Sequence, residues 1–89
     1  MESALIRKIR EHVASLGGKV IKFHADGYAE AGTPDLIVIL SHATYFVETK
    51  DWGKKPTRLQ YARIAEINRA GGKAFWTDNL EDFTKRICS

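Results

Sequence analysis

This 89-residue sequence has few of the residues needed for disulfide bonds or for insertion into a membrane. Its single cysteine, Cys88, cannot form an internal disulfide and has no Cys or His neighbour at the spacing of a zinc site. No apolar run approaches the ~20 residues of a membrane helix, and the first residues lack the apolar run of a signal peptide. Repeats, linkers and low-complexity tracts are also absent. We therefore expect one domain, residues 1–89, in a reduced, cytoplasmic setting.

The composition is that of a small folded domain. Hydrophobic residues make up 44% of the chain and recur in periodic runs, which excludes a disordered segment. The formal net charge is +3 and the isoelectric point about 9.2. This mildly basic balance is compatible with nucleic-acid binding, although many domains without that function are equally basic.

Hydrophobic periodicity predicts the order α-β-β-β-α-β, with a short helix capped by Asn79 at the end. Helical patterns cover residues 2–16 and 57–70, and strand-like patterns cover 19–24, 35–40, 44–49 and 73–77. The first three strands can form an antiparallel meander, and the third and fourth can be joined by a right-handed parallel crossover. The prediction is an α/β fold, a mixed four-stranded sheet flanked by helices.

Three charged residues lie where one predicted strand begins and the neighbouring strand ends. Asp35 opens the run to Leu40, and Glu48 and Lys50 close the run from Tyr45. If residue i pairs with residue 83 − i, Asp35 faces Glu48 with Cβ atoms ~5 Å apart. A three-residue loop would instead place the two acids on opposite faces unless a bulge corrects it. We adopt the register that brings the acids together.

Two carboxylates this close repel each other unless a cation lies between them, and Mg²⁺ prefers such hard oxygen ligands. Taken singly, Pro-Asp is a common turn dipeptide and Glu-x-Lys a common surface ion pair. Their combination at adjacent strand ends favours a metal site.

The chain resembles stand-alone VRR-NUC domains of the PD-(D/E)XK nuclease superfamily over nearly its whole length. The resemblance rests on Glu2, Gly32-Thr33-Pro34-Asp35, Glu48-Thr49-Lys50, Gly53-Lys54 with Gln60, and Ala70-Gly71-Gly72. Asp51-Trp52, directly after Lys50, departs from the small or polar residues expected there. The family implies a restriction-endonuclease-like fold and Mg²⁺- or Mn²⁺-dependent hydrolysis of DNA phosphodiesters. Small members, typical of phages and bacteria, resemble homodimers that act on branched DNA such as four-way (Holliday) junctions.

The resemblance also implies roles for individual residues. Asp35 and Glu48 would bind the metal with the Thr49 carbonyl, and Lys50 would orient the attacking water or stabilise the transition state. Glu2 is either a further ligand or an acid favoured by the start of a helix. Gln60 would hold the water or Lys50, and Thr57-x-x-Gln60 also matches a helix capping box.

DNA contacts are expected just after the active-site strand. Lys54, Lys55, Arg58 and Arg63 cluster there, and His24 lies near the glycine-rich loop; solvated surface is the alternative for each. Trp52 could be core or could stack on an unpaired base.

For the dimer, the best candidate surface comprises apolar residues near the fourth strand and last helix: Phe75, Trp76, Leu80 and Phe83. Two other functions are open. One is a catalytically silent nucleic-acid-binding module of the same fold, and the other is a small interaction protein whose charges decorate its surface.

Overall fold

A computed structural model describes residues 2–23 and 30–88, so the predicted contact by His24 lies outside the described residues. The chain forms one four-stranded sheet with the spatial order β1-β2-β3-β4. Its strands are β1 (Lys19–Lys22), β2 (Leu36–Ile39), β3 (Thr44–Thr49) and β4 (Ala74–Thr77), and its helices are α1 (Ala4–Ser15), α2 (Arg58–Arg69) and α3 (Leu80–Arg86). The predicted α/β architecture is confirmed, with element ends one to two residues inside the predicted bounds.

The register of the central hairpin is the one adopted from the sequence. β2 and β3 are antiparallel, and their pairs run from Leu36–Val47 to Ile39–Thr44. The backbone N–H of Leu40 donates to the carbonyl of Ala43 at 2.9 Å, which closes a two-residue turn. β3 and β4 are parallel, with Glu48 beside Trp76, so the predicted parallel crossover through α2 is also confirmed.

The hydrophobic core lies on one face of the sheet, under α1 and α3. Alternate residues of the strands face it, among them Val38, Val47 and Leu36, each fully buried. Ile9 of α1 and Phe83 of α3 complete it with no exposed surface. Truncating a side chain such as Phe83 to alanine would cost about 3–5 kcal/mol.

Local hydrogen bonds and a glycine set the two ends of helix α1. The Ser3 side chain accepts a hydrogen bond from the Ile6 N–H, so Ser3 is the N-cap and the predicted start at residue 2 is wrong. At the other end Gly17 has φ +80°, and the Gly18 N–H donates to the Val13 carbonyl at 2.9 Å. Only glycine adopts that left-handed conformation without strain.

The opposite face of the sheet is only partly covered. α2 packs against β4, and none of its twelve residues is buried in the described chain. On β1 and β2, Ile21, Ile39 and the adjoining Phe23 are 42%, 38% and 40% exposed. We call these three residues the open sheet face.

The apolar surface predicted for the dimer is wrong for most of its members. Phe83 is fully buried, and Phe75 and Leu80 pack against the core. Trp76 meets Tyr61 of α2 edge-on, with ring centroids 6.3 Å apart. Most of these side chains therefore contribute to packing within the chain.

Among the described residues, no helix combines the length and apolar character needed to cross a bilayer.

Candidate active site at the end of the central strands

A short structured loop delivers Asp35 to the start of β2. Gly32 has φ +83°, and a Cβ there would approach Leu59 Cγ to 2.9 Å, so the loop passes too close to α2 for any other residue. The Glu30 carbonyl accepts from the Thr33 N–H at 3.2 Å and from its hydroxyl. Pro34, directly before Asp35, is buried, and its ring fixes its own φ angle. The Gly-Thr-Pro sequence therefore serves to position the aspartate.

The Asp35 carboxylate is held against β3. Its Oδ1 accepts from the Thr49 backbone N–H at 3.1 Å, and its Oδ2 accepts from the Thr49 hydroxyl at 2.8 Å. The Asp35 carbonyl accepts from the Phe23 N–H at 2.7 Å, which ties the same residue to the β1 side. Asp35 is thus fixed on both sides before any ligand binds, as a preorganised site requires.

Glu48 is a buried acid with few compensating charges. It is 6% exposed, and its Oε2 lies 3.7 Å from Lys50 Nζ. Burial and then the nearby Asp35 charge raise the pKa of the Glu48 carboxyl to about 7, while Lys50 acts in the opposite direction. The lysine therefore offsets only part of the cost of placing two carboxylates together.

Gln60 links helix α2 to this acid. Its side-chain oxygen accepts from the Thr57 N–H at 2.9 Å, and the Thr57 hydroxyl accepts from the Gln60 N–H at 3.2 Å, which completes the predicted capping box. Its Nε2 donates to Glu48 Oε2 at 3.3 Å. The capping-box interpretation of Gln60 is therefore met, whereas its amide contacts Glu48 rather than Lys50, so its role beside the attacking water stays a prediction.

A cleft of about 510 Å³ is lined by Asp35, Thr49 and Lys50, but not by the buried Glu48 or by Gln60, and it carries a concentration of positive charge. It is lined by Ser3, Ile6, Lys22, Asp35, Thr49, Lys50, Asp51, Lys54 and Lys55. Four of these nine residues are lysines, whereas two are acidic, so the walls favour an anion such as a phosphate. We call it the catalytic cleft.

The donor set fits a divalent cation. The described residues contain no group of three His, Cys, Asp or Glu side chains arranged for a metal, so Asp35 and Glu48 need oxygens of another kind. A backbone carbonyl and water supply such oxygens for hard cations. Burial and then the Asp35 charge raise the pKa of the Glu48 carboxyl, and a dication between the two acids would favour its ionised form. These residues therefore suit Mg²⁺ or Mn²⁺.

Other predicted residues have different surroundings. Glu2 pairs with Arg10, whose Nε lies 2.9 Å from its Oε1, and it does not line the catalytic cleft. Arg63 donates to the Ala31 carbonyl at 2.9 Å and pairs with Glu30 at 3.2 Å, so it braces the loop that precedes Asp35. Arg58 is exposed at the first turn of α2, outside the cleft lining.

Sequence reasoning missed Lys22 and Ser3 in the cleft wall. Lys22 is the last residue of β1 and pairs with Leu36, the residue that follows Asp35. The predicted meander contained this signal, because an antiparallel first strand must end where the second begins. The sequence did not predict Ser3 in the cleft wall, because the pattern placed the start of the helix at residue 2 rather than after Ser3.

Comparison with known proteins places this geometry in a family. No family model and no curated protein matches the sequence. Among solved structures the chain is similar to one titled VRR_NUC domain, with a TM-score of 0.80, 30% identity, and 93% of this chain and 89% of that chain covered. It also shares its fold with Hjc, a Holliday junction resolvase from Archaeoglobus fulgidus, with a TM-score of 0.61, 15% identity, and coverages of 83% and 63%.

The similarity to the VRR_NUC domain combines 30% sequence identity with nearly complete coverage of both chains. The second extends only to the fold, which agrees with the restriction-endonuclease-like sheet expected from the sequence. Together with the Asp35, Glu48 and Lys50 arrangement, they show that this chain belongs to the VRR-NUC family of PD-(D/E)XK nuclease domains.

Proposed function

We propose that this domain is a Mg²⁺- or Mn²⁺-dependent DNA endonuclease. The observation that carries the proposal is a pair of neighbouring carboxylates, with Asp35 in the wall of a cleft that holds four lysines and Glu48 buried next to it. The acids suit a hard cation and the lysines suit the phosphates of a polyanion. A DNA substrate also agrees with the cytoplasmic setting expected from the sequence.

Asp35, Glu48 and the Thr49 carbonyl would hold the cation, with Glu2 as a further ligand once released from Arg10. When bound, the cation lowers the pKa of a coordinated water and offsets charge on the phosphate. Gln60 fixes the orientation of the Glu48 carboxylate through its Nε2, at 3.3 Å. These positions supply oxygen ligands before the substrate arrives.

Lys50 has a position that suits a catalytic cation. Its side chain is 20% exposed, lines the catalytic cleft and lies 3.7 Å from Glu48 Oε2. An ammonium held there can orient the attacking water or stabilise charge that develops on the phosphate oxygens. Its fixed place in the wall requires little rearrangement during the reaction.

Lysines Lys54, Lys55 and Lys22 would bind phosphates that flank the scissile one. Arg58, Arg63 and His24 are proposed contacts farther from the chemistry. Arg63 would act there only in addition to bracing the Glu30–Asp35 loop, since its guanidinium already pairs with two acids.

We propose a two-fold dimer formed through the open sheet face, acting on branched DNA. The side chains of Ile21, Phe23 and Ile39 are each about two-fifths exposed. They lie on the sheet face that α2 covers mainly at β4. Sheet faces this apolar are normally packed against another layer. A two-fold pair covers the same patch on both copies and presents two active sites, as symmetric cleavage of a four-way junction needs. Similarity in fold to a Holliday junction resolvase supports that substrate class.

The test is cleavage of a labelled DNA panel that contains a four-way junction, a flap, a single strand and a duplex. We expect Mg²⁺- or Mn²⁺-dependent cleavage, strongest on branched DNA, that is lost in Lys50→Ala. Lys85→Ala is the matched control, because that lysine is 75% exposed on α3 and outside the catalytic cleft. Salt-dependent binding with no cleavage in any metal would instead assign the silent binding module.

A further inference from the structure

Trp52 is the most exposed large hydrophobic residue in the described chain, at 78%. It lies on the turn from Asp51 to Lys54, which is closed by the Lys54 N–H donating to the Asp51 carbonyl at 2.9 Å. An indole left in water forgoes the stabilisation that burial of a large apolar side chain supplies. Trp52 lies two residues after Lys50, which lines the catalytic cleft, so the exposed indole lies near the place where DNA would bind.

The turn that carries Trp52 is held in place. Gly53 adopts φ +83°, and its N–H donates to Asp78 Oδ2 at 3.1 Å. Asp78 is itself fixed, because the Asn79 side-chain amide donates to its Oδ1 at 2.7 Å. The indole is therefore presented from a tethered turn, so ordering it on a ligand costs little additional conformational entropy.

A second cavity, of about 300 Å³, lies beside this indole. It shares Ser3, Lys50 and Asp51 with the catalytic cleft, so the two hollows are neighbours with common walls. Its remaining lining residues are Ala4, Leu5, Lys8, Trp52, Asp78, Asn79 and Leu80. We call it the Trp52 cavity.

The chemistry of the Trp52 cavity differs from that of the catalytic cleft. Lys8 and Lys50 are balanced by Asp51 and Asp78, so the cavity has no excess of positive charge for a phosphate. Leu5, Leu80 and the indole provide apolar surface, and the amide and carboxylate groups provide hydrogen-bond partners. A flat, polar-edged aromatic ring suits such a lining better than an anion does.

We propose that the Trp52 cavity is a subsite for an unpaired nucleobase next to the scissile phosphate, with Trp52 as its stacking platform. The proposal rests on the proposed nuclease function. A paired base in a duplex already stacks on both faces, so only a base released from the stack can offer its face to the indole. A branch point interrupts continuous stacking, so a base there leaves its pair and its stack at lower cost than in an unbroken duplex, and the subsite would therefore select branched over continuous DNA.

Tryptophan fluorescence tests this proposal directly. Trp76→Phe leaves Trp52 as the only indole, and Trp52→Phe leaves Trp76, which lies on the other face of the sheet against Tyr61. Both variants are titrated with a four-way junction and with a duplex of equal length in EDTA, which prevents cleavage. Binding is measured independently by the anisotropy of labelled DNA, and folding by circular dichroism.

We expect the junction to quench Trp52 strongly, the duplex to quench it weakly, and neither to change Trp76. Trp52→Ala should weaken junction binding by roughly 5- to 150-fold, the equivalent of about 1–3 kcal/mol of stacking. Its duplex affinity should stay within roughly twofold of wild type. Trp52→Phe should recover part of the loss.

Two results overturn the subsite in distinguishable ways. Junction binding without quenching of Trp52, or equal losses on junction and duplex in Trp52→Ala, would reject the subsite and leave the nuclease proposal standing. A wild-type protein that neither binds nor cleaves any DNA would reject both proposals together.

Discussion

Glu48→Gln should stabilise the metal-free protein at alkaline pH while abolishing its activity. A carboxyl whose pKa is raised from 4.5 to about 7 costs the fold about 3 kcal/mol once ionised, since each tenfold change in proton affinity is worth about 1.4 kcal/mol. Glutamine keeps the side-chain shape and an oxygen that can accept from Gln60. It removes the buried charge, so the free energy of unfolding should rise by up to this amount.

The sign of the pH dependence follows from proton binding. Between pH 4.5 and about 7 the folded wild type retains a proton on Glu48 that the unfolded chain has lost. Wild-type stability should therefore fall as pH rises through this window, and the cost is fully present above it. Below pH 4.5 both states are protonated, so wild type and Glu48→Gln should be equally stable.

Urea denaturation and thermal unfolding in EDTA at pH 4 and pH 8 measure this difference. The advantage of Glu48→Gln should appear only at pH 8, where a melting-temperature gain of about 4–8 °C per kcal/mol is expected for a domain of this size. Glu81→Gln is the matched control, because that acid is 81% exposed and should show little change. Adding Mg²⁺ at a hundred times its dissociation constant should return about 2.7 kcal/mol to wild type alone.

A Glu48→Gln variant that is no more stable than wild type at pH 8 in EDTA would refute the reasoning. It would mean that Lys50 and Gln60 already compensate the Glu48 charge, so that no cation is needed between the two acids.

Three further predictions address catalysis, DNA binding and assembly. Asp35→Asn should lose cleavage in Mg²⁺ and keep junction affinity within roughly twofold, because the lysines bind the phosphates; wild-type cleavage would exclude Asp35 from the site. Lys54→Ala with Lys55→Ala should reduce the slope of log affinity against log salt by roughly two, whereas an unchanged slope would place both lysines in solvent. Sedimentation equilibrium should give about twice the 10.0 kDa chain mass for the wild type and the monomer mass for Ile39→Lys. Leu16→Lys, at a residue that is 55% exposed outside the open sheet face, should leave the dimer intact. A monomeric wild type would reject the dimer.

The hairpin that carries the acids was predictable in part. Alternation shows which residues share a face, but two- and three-residue turns were both open from the sequence, and the observed two-residue turn at Ser41 and His42 decides the register. The Thr57-x-x-Gln60 capping box was fully visible, since it depends only on spacing within four residues. Each of these predictions rests on contacts between residues close in sequence.

The tertiary assignments were harder because they depend on which sheet face each helix covers. An apolar pattern shows that Phe75, Leu80 and Phe83 need burial, yet it does not tell whether the core or a second copy supplies it. The open sheet face is visible only after α2 is seen to pack over β4, while Ile21 of β1 and Ile39 of β2 stay about two-fifths exposed. Arg63 is a similar case, since its pairing with Glu30 crosses from α2 to a loop far away in sequence.

Gln60 shows how a local rule can orient a distant functional group. The Thr57 N–H needs an acceptor, so the amide oxygen of Gln60 must face the start of α2. The amide nitrogen is then left to face Glu48, where it can only donate. Lys50 lies closest to that same oxygen, Oε2, so two donors hold one side of the carboxylate. The helix cap thus turns Glu48 in a defined direction, and the cost of its burial beside Asp35 is the feature that would favour a bound cation.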